Sequence, residues 1–160
     1  MKLEHCNLGD IAALKYGKSL PERVREPGPY PVYGSSGVVG SHSSFCVEGP
    51  GIVVGRKGSI GTVYFEEDPF FPIDTVYYAV PTWPDISHRS LYYILQLAQL
   101  HKLNTDAAVP GLNRTNALSV KVTFPQREDD RERVADQLAI FDRLMRLNNI
   151  RTSRPLSNAS

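Results

Sequence analysis

The sequence has few cysteines and no long apolar run, and both shortages restrict the class of protein. Two cysteines in 160 residues cannot form the disulfide framework of a small secreted scaffold, so Cys6 and Cys46 fit small buried side chains in a reducing compartment. No stretch approaches the roughly 18 apolar residues of a membrane span. The first segment, MKLEHCNLGD, lacks the apolar core of a secretory signal. We therefore expect a cytoplasmic protein that does not associate with a membrane.

An excess of charge of one sign is also missing. Lys and Arg number 18 against 17 Asp and Glu, and residues 1–125 carry 11 basic and 11 acidic side chains. Proteins that bind nucleic acid usually have a basic excess, so a DNA-binding face in this chain would require local segregation of charge. The composition, 41% hydrophobic and 22% charged, is that of an ordinary globular domain with at most a short appendage.

The glycine-rich segment GRKGSIG does not match a known phosphate-binding loop. The spacing of Gly55, Gly58 and Gly61 fits neither the dinucleotide fingerprint nor the Walker loop, which must open a helix. The following residues, TVYF, are typical of a strand instead. The segment therefore predicts a hairpin whose glycines adopt positive φ.

Nucleophile and metal motifs are absent as well. Ser35 and Ser36 lie in GSSG, which lacks the spacing and the strand-turn-helix context of a nucleophile elbow. Four residues could be imagined as zinc ligands but lack the paired spacing of such a site: His5, Cys6, His42 and Cys46. The sequence thus predicts no catalytic residue and no metal site.

Short β-branched and aromatic runs bounded by turn residues dominate the first 125 residues. Nine of the twelve glycines fall between Gly28 and Gly61. The predicted strands are 32–33, 38–39, 51–54, 61–65, 73–80 and 119–124. Residues 87–100 have the apolar period of a helix, and strand 73–80 does not alternate cleanly, which indicates burial on both faces. We expect an α+β fold with a twisted, mostly antiparallel sheet and one or two packed helices.

Residues 126–150 predict a long C-terminal helix of the coiled-coil type. Asp129 and Asp130 suit its first turn. Four apolar residues are spaced four, three and four apart, as in a helix seam: Val134, Leu138, Phe141 and Met145. So broad a stripe must be buried against either the body of the same chain or another chain. Residues 151–160 are polar and interrupted by proline, and we expect them to be a flexible tail.

Basic residues recur in the turn-rich segments beside glycine and serine. Loops of this composition can approach phosphates closely and can extend side chains to base edges in the major groove. The residues are Lys15, Lys18, Arg23, Arg25, Arg56 and Lys57, and Tyr16 lies among them in the same kind of segment. Glutamates are interleaved with them, so a solvated surface without a partner remains the alternative.

Several segments together resemble one family. In order, they are LGDIAALKYGKSLP, YPVYGSSGVVGSH, GPGIVVGRKGSIGTVY, PFFPIDTVYYAV, LNTDAAVPGLNRTNALSVKVTFP and PQREDDRERVADQLAIFDRL. This ordered set is similar to a target recognition domain of the specificity subunit in type I restriction-modification systems. The resemblance extends to about residue 150, and it rests on the set rather than on any single motif.

The resemblance implies a subunit that recognises DNA and does no chemistry itself. Residues 1–125 would form the target recognition domain and 126–150 a spacer or dimerisation helix. The implied partners are double-stranded DNA, a methyltransferase subunit and, indirectly, an endonuclease and translocase subunit, and no cofactor is implied. Specificity subunits of this family usually carry two recognition domains, so a natural half-subunit and a truncated form are both compatible with one domain and one helix.

The resemblance also suggests which residues face DNA. The candidates lie in three loops and in the PGLNR segment: Lys15, Lys18, Ser35, Ser36, Arg56, Lys57, Ser59, Asn113 and Arg114. Each has a structural alternative. The lysines could be solubilising charges, the serines could form turns, Arg56 could pair with Glu48 or another acid, and Asn113 could cap a helix.

The seam on the predicted helix leaves two functions open. Pairing with a second copy or with another specificity subunit would place two recognition domains at a fixed separation on a palindromic bipartite site. Alternatively, the chain is a protein-interaction module that binds the methyltransferase or another specificity subunit without contacting DNA. A small hydrolase built on the glycine-rich loops would require convergent titratable groups, and the sequence shows none.

Overall fold

The computed structural model describes residues 1–103 and 110–152, with side chains to residue 149. Nine strands and four α-helices are assigned in these ranges. They are β1 (Leu3–Asn7), α1 (Leu8–Ile11), β2 (Ala12–Tyr16), β3 (Tyr30–Gly34), β4 (Gly37–His42), β5 (Gly51–Gly55), β6 (Val63–Glu66), β7 (Phe71–Pro72), β8 (Val76–Pro81), α2 (His88–Leu97), α3 (Arg114–Leu118), β9 (Lys121–Pro125) and α4 (Glu128–Thr152). Single 3₁₀ turns occupy Glu22–Val24 and Leu100–Leu103.

The strands form three sheets. The largest has the order β2-β8-β5-β6 and is antiparallel throughout. A second sheet, β4-β3-β7, pairs β3 with β4 in antiparallel fashion and with β7 in parallel. The third pairs β1 with β9. The α+β class and the mostly antiparallel sheet are therefore confirmed.

Both faces of the largest sheet are covered, and this explains the apolar run in β5. Ile52 and Val54 pack in the main core with residues of α2, whereas Val53 belongs to a smaller cluster with Phe70 and Val76 on the other face. Adjacent residues on a strand point to opposite faces, so a strand buried on both sides cannot alternate between apolar and polar residues. Val76 and the adjacent Tyr77 divide between the same two clusters, which confirms the expectation for strand 73–80.

Strands β1 and β2 are absent from the sequence prediction. Strand β1 pairs with β9 from the far end of the body, Leu3 opposite Pro125. The one-turn helix α1 then separates β1 from β2, and its start is fixed by the Asp10 carboxylate, which accepts a hydrogen bond from the Asn7 amide at 2.8 Å. Both strands pair with distant parts of the chain, β1 with β9 and β2 with β8, so the sequence around them does not show that they belong to sheets.

Helix α4 begins two residues after the start of the predicted range 126–150, and its N-terminal half is docked on the body. Arg131 and Ala135 are 4% and 2% exposed and lie against the body. Val134 and Leu138 are partly buried and line a cavity of about 50 Å³ against α2 and β9. Phe141 is 59% exposed, and most of the apolar residues that follow it in α4 have a similar exposed fraction. None of the helices in the described ranges is long and apolar enough to cross a membrane.

Candidate nucleic-acid interface

The turn between β3 and β4 and the loop between β5 and β6 meet at Ser35. The Ser35 carbonyl accepts a hydrogen bond from Thr62 Oγ1 at 2.7 Å, and its hydroxyl oxygen accepts one from the Ser59 amide at 3.3 Å. Ser35 thus stabilises the turn, which is the structural alternative given above for this residue. Ser36 follows Ser35 in this turn, and the side chains of Ser36 and Ser59 are both exposed.

The loop 56–62 is a hairpin loop that is fixed by its backbone. The amides of Arg56 and Lys57 both donate to the Thr75 carbonyl, at 2.9 and 3.0 Å. Gly58 and Gly61 adopt φ values of +79° and +70°. The hairpin predicted from GRKGSIG is confirmed, and its glycines supply the left-handed backbone conformations that other residues rarely adopt.

Two guanidinium groups lie over the ring of one tyrosine. The Cζ atoms of Arg56 and Arg114 are 4.9 and 5.0 Å from the centre of the Tyr16 ring. Tyr77 packs beside Tyr16, with 5.2 Å between the ring centres, and Arg56 is also 5.7 Å from the Tyr77 ring. We call these four residues the Tyr16 cluster: Tyr16, Arg56, Tyr77 and Arg114.

The Tyr16 cluster is connected to the segment that precedes α3. The Tyr77 hydroxyl donates a hydrogen bond of 2.8 Å to the Leu112 carbonyl, and burial raises the pKa of Tyr77, so the donor keeps its proton. The Leu112 amide in turn donates to the Arg56 carbonyl at 2.8 Å. Together with Lys57 and residues 110–114, the cluster lines a cleft of about 390 Å³.

Asn113 acts as a helix cap. Its side-chain oxygen accepts a hydrogen bond of 3.0 Å from the Asn116 amide at the start of α3. Bidentate recognition of adenine by an Asn side chain uses this same oxygen. A DNA contact from Asn113 therefore remains a prediction with a structural competitor, whereas the exposed Arg114 side chain follows the cap and lies in the cleft.

Lys15 and Lys18 are exposed but lie apart from the cleft. Lys15 precedes Tyr16 on β2, so its side chain points to the opposite face of the sheet. The Lys18 backbone pairs with the chain at Ile73. Among the described residues, neither side chain contacts the Tyr16 cluster. The structure thus separates these two lysines from the other predicted DNA-facing residues. Six of the nine predicted residues lie together at the cleft and the adjoining hairpins. The ninth, Asn113, lies at the rim of the cleft, where it caps α3.

Positive charge is segregated at this cleft. Arg56 Nη1 donates a hydrogen bond to the backbone carbonyl of Asp74 at 3.0 Å. Among the described residues, neither Glu48 nor another carboxylate forms an ion pair with Arg56. The ion pairs seen in those ranges lie around Arg89 and at the start of α4. Three basic side chains therefore line this cleft without forming an ion pair among the described residues: Arg56, Lys57 and Arg114.

The predicted helix seam divides into two parts. Val134 and Leu138 face the body, as one of the two sequence alternatives proposed. The second pair, Phe141 and Met145, is 59% and 48% exposed. Three neighbouring apolar residues share this exposure: Ile140, Leu144 and Leu147. We call the five exposed residues the α4 apolar row.

The sequence placed Tyr16 among residues that could approach a partner but did not predict that it faces DNA, and it gave no role to Tyr77. Both are cross-strand partners, Tyr16 opposite Tyr77 in the β2–β8 pair. An aromatic residue directly before Gly17 was the only local signal, and it is shared by many strand ends. Their role became visible only when the fold brought Arg56 and Arg114 to the same ring.

The comparisons with known proteins give the family. The model described as "Type I restriction modification DNA specificity domain" matches residues 2–155. The chain belongs to this family. No curated protein matches this specificity domain significantly.

Solved specificity subunits share the fold of this domain. The S subunit of a type I restriction-modification system from M. genitalium matches with a TM-score of 0.80 at 20% identity, covering 95% of this chain and 41% of that one. The HsdS subunit from Thermoanaerobacter tengcongensis matches with a TM-score of 0.66 at 12% identity, covering 97% and 40%. A structure concerned with complex assembly and conformational transition of the type I system gives 0.70 at 14% identity, covering 94% and 41%. The specificity domain thus spans about two fifths of these chains.

Proposed function

We propose that this chain is a sequence-specific DNA-binding module that directs a type I methyltransferase to one half of a bipartite target. The observation that supports the proposal most directly is the cleft at the Tyr16 cluster, where Arg56, Lys57 and Arg114 converge with no carboxylate in contact among the described residues. The family is a DNA specificity family, and the cleft supplies a surface on which this function can be carried out.

The two parts of the face suit different contacts. Positively charged side chains in the cleft neutralise backbone phosphates, which supplies affinity but little sequence information. The exposed Ser36 and Ser59 lie on the tips of two hairpins that are held together through Ser35. Side chains on such a fixed edge can form hydrogen bonds with base edges in the major groove.

Binding to a random-sequence duplex at several salt concentrations tests this proposal. We expect Lys57→Ala to weaken binding and to reduce the slope of log K against log[salt] by about one. Lys121→Ala removes the same charge from β9, on a different sheet, and should leave both quantities unchanged. Failure of the wild-type chain to bind any duplex at low salt would overturn the proposal.

The proposal includes the further partners and the location of the chain. The chain itself would be non-catalytic and would require no cofactor. The methyltransferase subunit would be a direct partner, and the endonuclease and translocase subunit would be recruited indirectly in the cytoplasm. A second copy, or another specificity subunit, would pair through α4.

The α4 apolar row favours a second candidate function, that of a protein-interaction module. Such a module would use the exposed side chains of Phe141, Leu144 and Met145 to bind another subunit and would not require DNA. The two functions are separable, because the row lies on α4 and the cationic cleft lies between β2, β8 and the start of α3. A wild-type chain that assembles but never binds a duplex would support the second function alone.

A further inference from the structure

We infer that Arg56 and Arg114 bind phosphates of the DNA backbone, not base edges, and that Tyr16 is a positioning residue for both guanidinium groups. The inference rests on the proposed function and assigns a chemical class of ligand to one part of the face. It begins with the geometry of the Tyr16 cluster, in which both Cζ atoms lie within 5.0 Å of the same ring centre.

The first argument is electrostatic. Two groups that share one ring are at most about 10 Å apart, which is about one Debye length at moderate salt, so their repulsion is only partly screened. Among the described residues, no carboxylate forms an ion pair with Arg56 or Arg114. Cation–π contact with the ring offsets part of this repulsion. A phosphate group placed at the cleft would neutralise the remaining charge, and this favours an anionic ligand.

The second argument concerns reach. Recognition of guanine requires an arginine that extends into the major groove with two parallel N–H donors available. Arg56 is only partly exposed, its guanidinium contacts the rings of Tyr16 and Tyr77, and its Nη1 already donates to the Asp74 carbonyl. A side chain folded back in this way cannot enter a groove. Phosphates, in contrast, lie on the outside of the duplex and can reach a group in a shallow cleft.

The third argument concerns rigidity. The Arg56 backbone is fixed at both its amide and its carbonyl, by Thr75 and Leu112. The start of α3, where Arg114 lies, is fixed by the Asn113 cap. Pre-organised donors lose less conformational entropy when they bind, so the cluster suits a contact that is the same at every sequence.

Binding to a 30-base-pair duplex of random sequence tests this inference, because such binding depends almost entirely on phosphate contacts. We expect Arg114→Ala and Arg56→Ala each to reduce the slope of log K against log[salt] by about 0.9 per lost contact and to lower affinity about tenfold. Arg127→Ala is the matched control, since it removes one positive charge whose side chain is 75% exposed at the start of α4. Arg114 is exposed, so its replacement provides the test even if Arg56→Ala lowers stability.

Variants of Tyr16 test its positioning role. Tyr16→Phe keeps the ring and should keep wild-type affinity, whereas Tyr16→Leu removes the ring and should lower affinity about two- to fivefold. A purely structural role would instead change the midpoint of thermal unfolding and leave duplex affinity unaltered once the protein is folded. Equal affinities for Tyr16→Phe and Tyr16→Leu would remove Tyr16 from the inference.

The outcomes separate this inference from the proposed function. No duplex binding by the wild-type chain would contradict the proposed function itself. Wild-type binding with unchanged salt slopes in both arginine variants would overturn the phosphate assignment alone. Unchanged random-sequence affinity combined with lost preference for a selected sequence would show that the arginines contact bases, and this would also overturn it.

Discussion

Arg131 shows how one residue fixes α4 to the body of the protein. The residue is 4% exposed, and its guanidinium donates to the carbonyls of Pro125 and Gln126 at 3.1 and 2.6 Å and to that of Asp85 at 2.6 Å. These carbonyls end β9 and lie in the segment before α2. A buried charge held by backbone carbonyls is costly to disturb, because its removal leaves the carbonyls without donors.

Replacement of Arg131 should therefore destabilise the protein strongly. We expect Arg131→Ala to lower the free energy of unfolding by about 2–4 kcal/mol, from lost packing and three unsatisfied carbonyls. Arg131→Met retains much of the volume and should cost less. Arg133→Ala removes a side chain that is 69% exposed and should change stability by less than about 0.5 kcal/mol. Urea denaturation measures all three, and equal values for Arg131→Ala and Arg133→Ala would contradict the assigned role.

At the residue scale, the sequence predicted which loops carry the cleft residues better than it predicted which side chains contact each other. Glycine-rich surroundings pointed to Arg56 and Lys57, the family resemblance pointed to Arg114, and these three residues line one cleft. The sequence could not distinguish Arg131 from the exposed charges around it, since RERVAD has the composition of a solvated helix. The contact between Tyr16 and Tyr77 escaped for a related reason: pairing between β2 and β8 joins residues 61 positions apart in the chain.

At the scale of elements, three side-chain hydrogen bonds are among the contacts that join α4 to α2. Glu132 Oε1 accepts hydrogen bonds from the hydroxyls of Ser87 and Ser90, at 2.7 and 2.8 Å. Ten residues further along α4, Asp142 accepts a hydrogen bond from the Tyr93 hydroxyl at 3.1 Å. These contacts set the direction in which α4 leaves the body of the protein.

The Tyr93 contact predicts a dependence on alkaline pH. Burial, and secondly the hydrogen bond to Asp142, raise the pKa of Tyr93 to about 12, above the usual value of about 10 in the unfolded chain. Its contribution to stability is therefore complete below pH 10 and is lost as pH rises toward 12. We expect the difference in unfolding free energy between the wild type and Tyr93→Phe to shrink over that interval. A difference that stays constant from pH 8 to pH 12 would contradict the assignment.

Periodicity predicted those elements whose environment is local. Helix α2, helix α4 and the strands near β3 to β6 were recognised because turn residues separate them and each has a regular apolar pattern. Strands β1 and β2 were missed because β1 depends on β9 and both flank the single turn of α1. The predicted seam was right only for Val134 and Leu138, which face the body. Regular apolar spacing does not show at which residue a helix passes the end of the body and becomes exposed to solvent.

At the scale of the whole molecule, the exposed α4 apolar row predicts self-association. We expect the wild-type chain to show a mass of two copies by size-exclusion chromatography with light scattering, against 17.8 kDa for one copy. Phe141→Asp should return the mass to that of a single copy. Lys121→Ala changes the net charge equally at an exposed position on β9, away from α4, and should remain paired. A single-copy mass for the wild type at high concentration would leave another subunit, not a second copy, as the partner of this row.

The net charge of +1 also has a consequence for the whole molecule. Affinity must come from a small cleft of segregated charge, so we expect one copy alone to bind DNA weakly. Pairing through α4 would join two such faces, and the second contact would then form at a high effective concentration. A symmetric pair would select an inverted repeat with a fixed spacing.

The central claim is that this specificity domain recognises a DNA sequence, and selection from a random duplex pool tests it most directly. The wild-type protein is used to recover bound duplexes over several rounds, and the recovered pool is sequenced. We predict enrichment of a short set of fixed bases, which disappears when the exposed hairpin residues Ser36 and Ser59 are both replaced by Ala. Recovery of an unbiased pool by a wild-type protein that binds duplex DNA would contradict the claim.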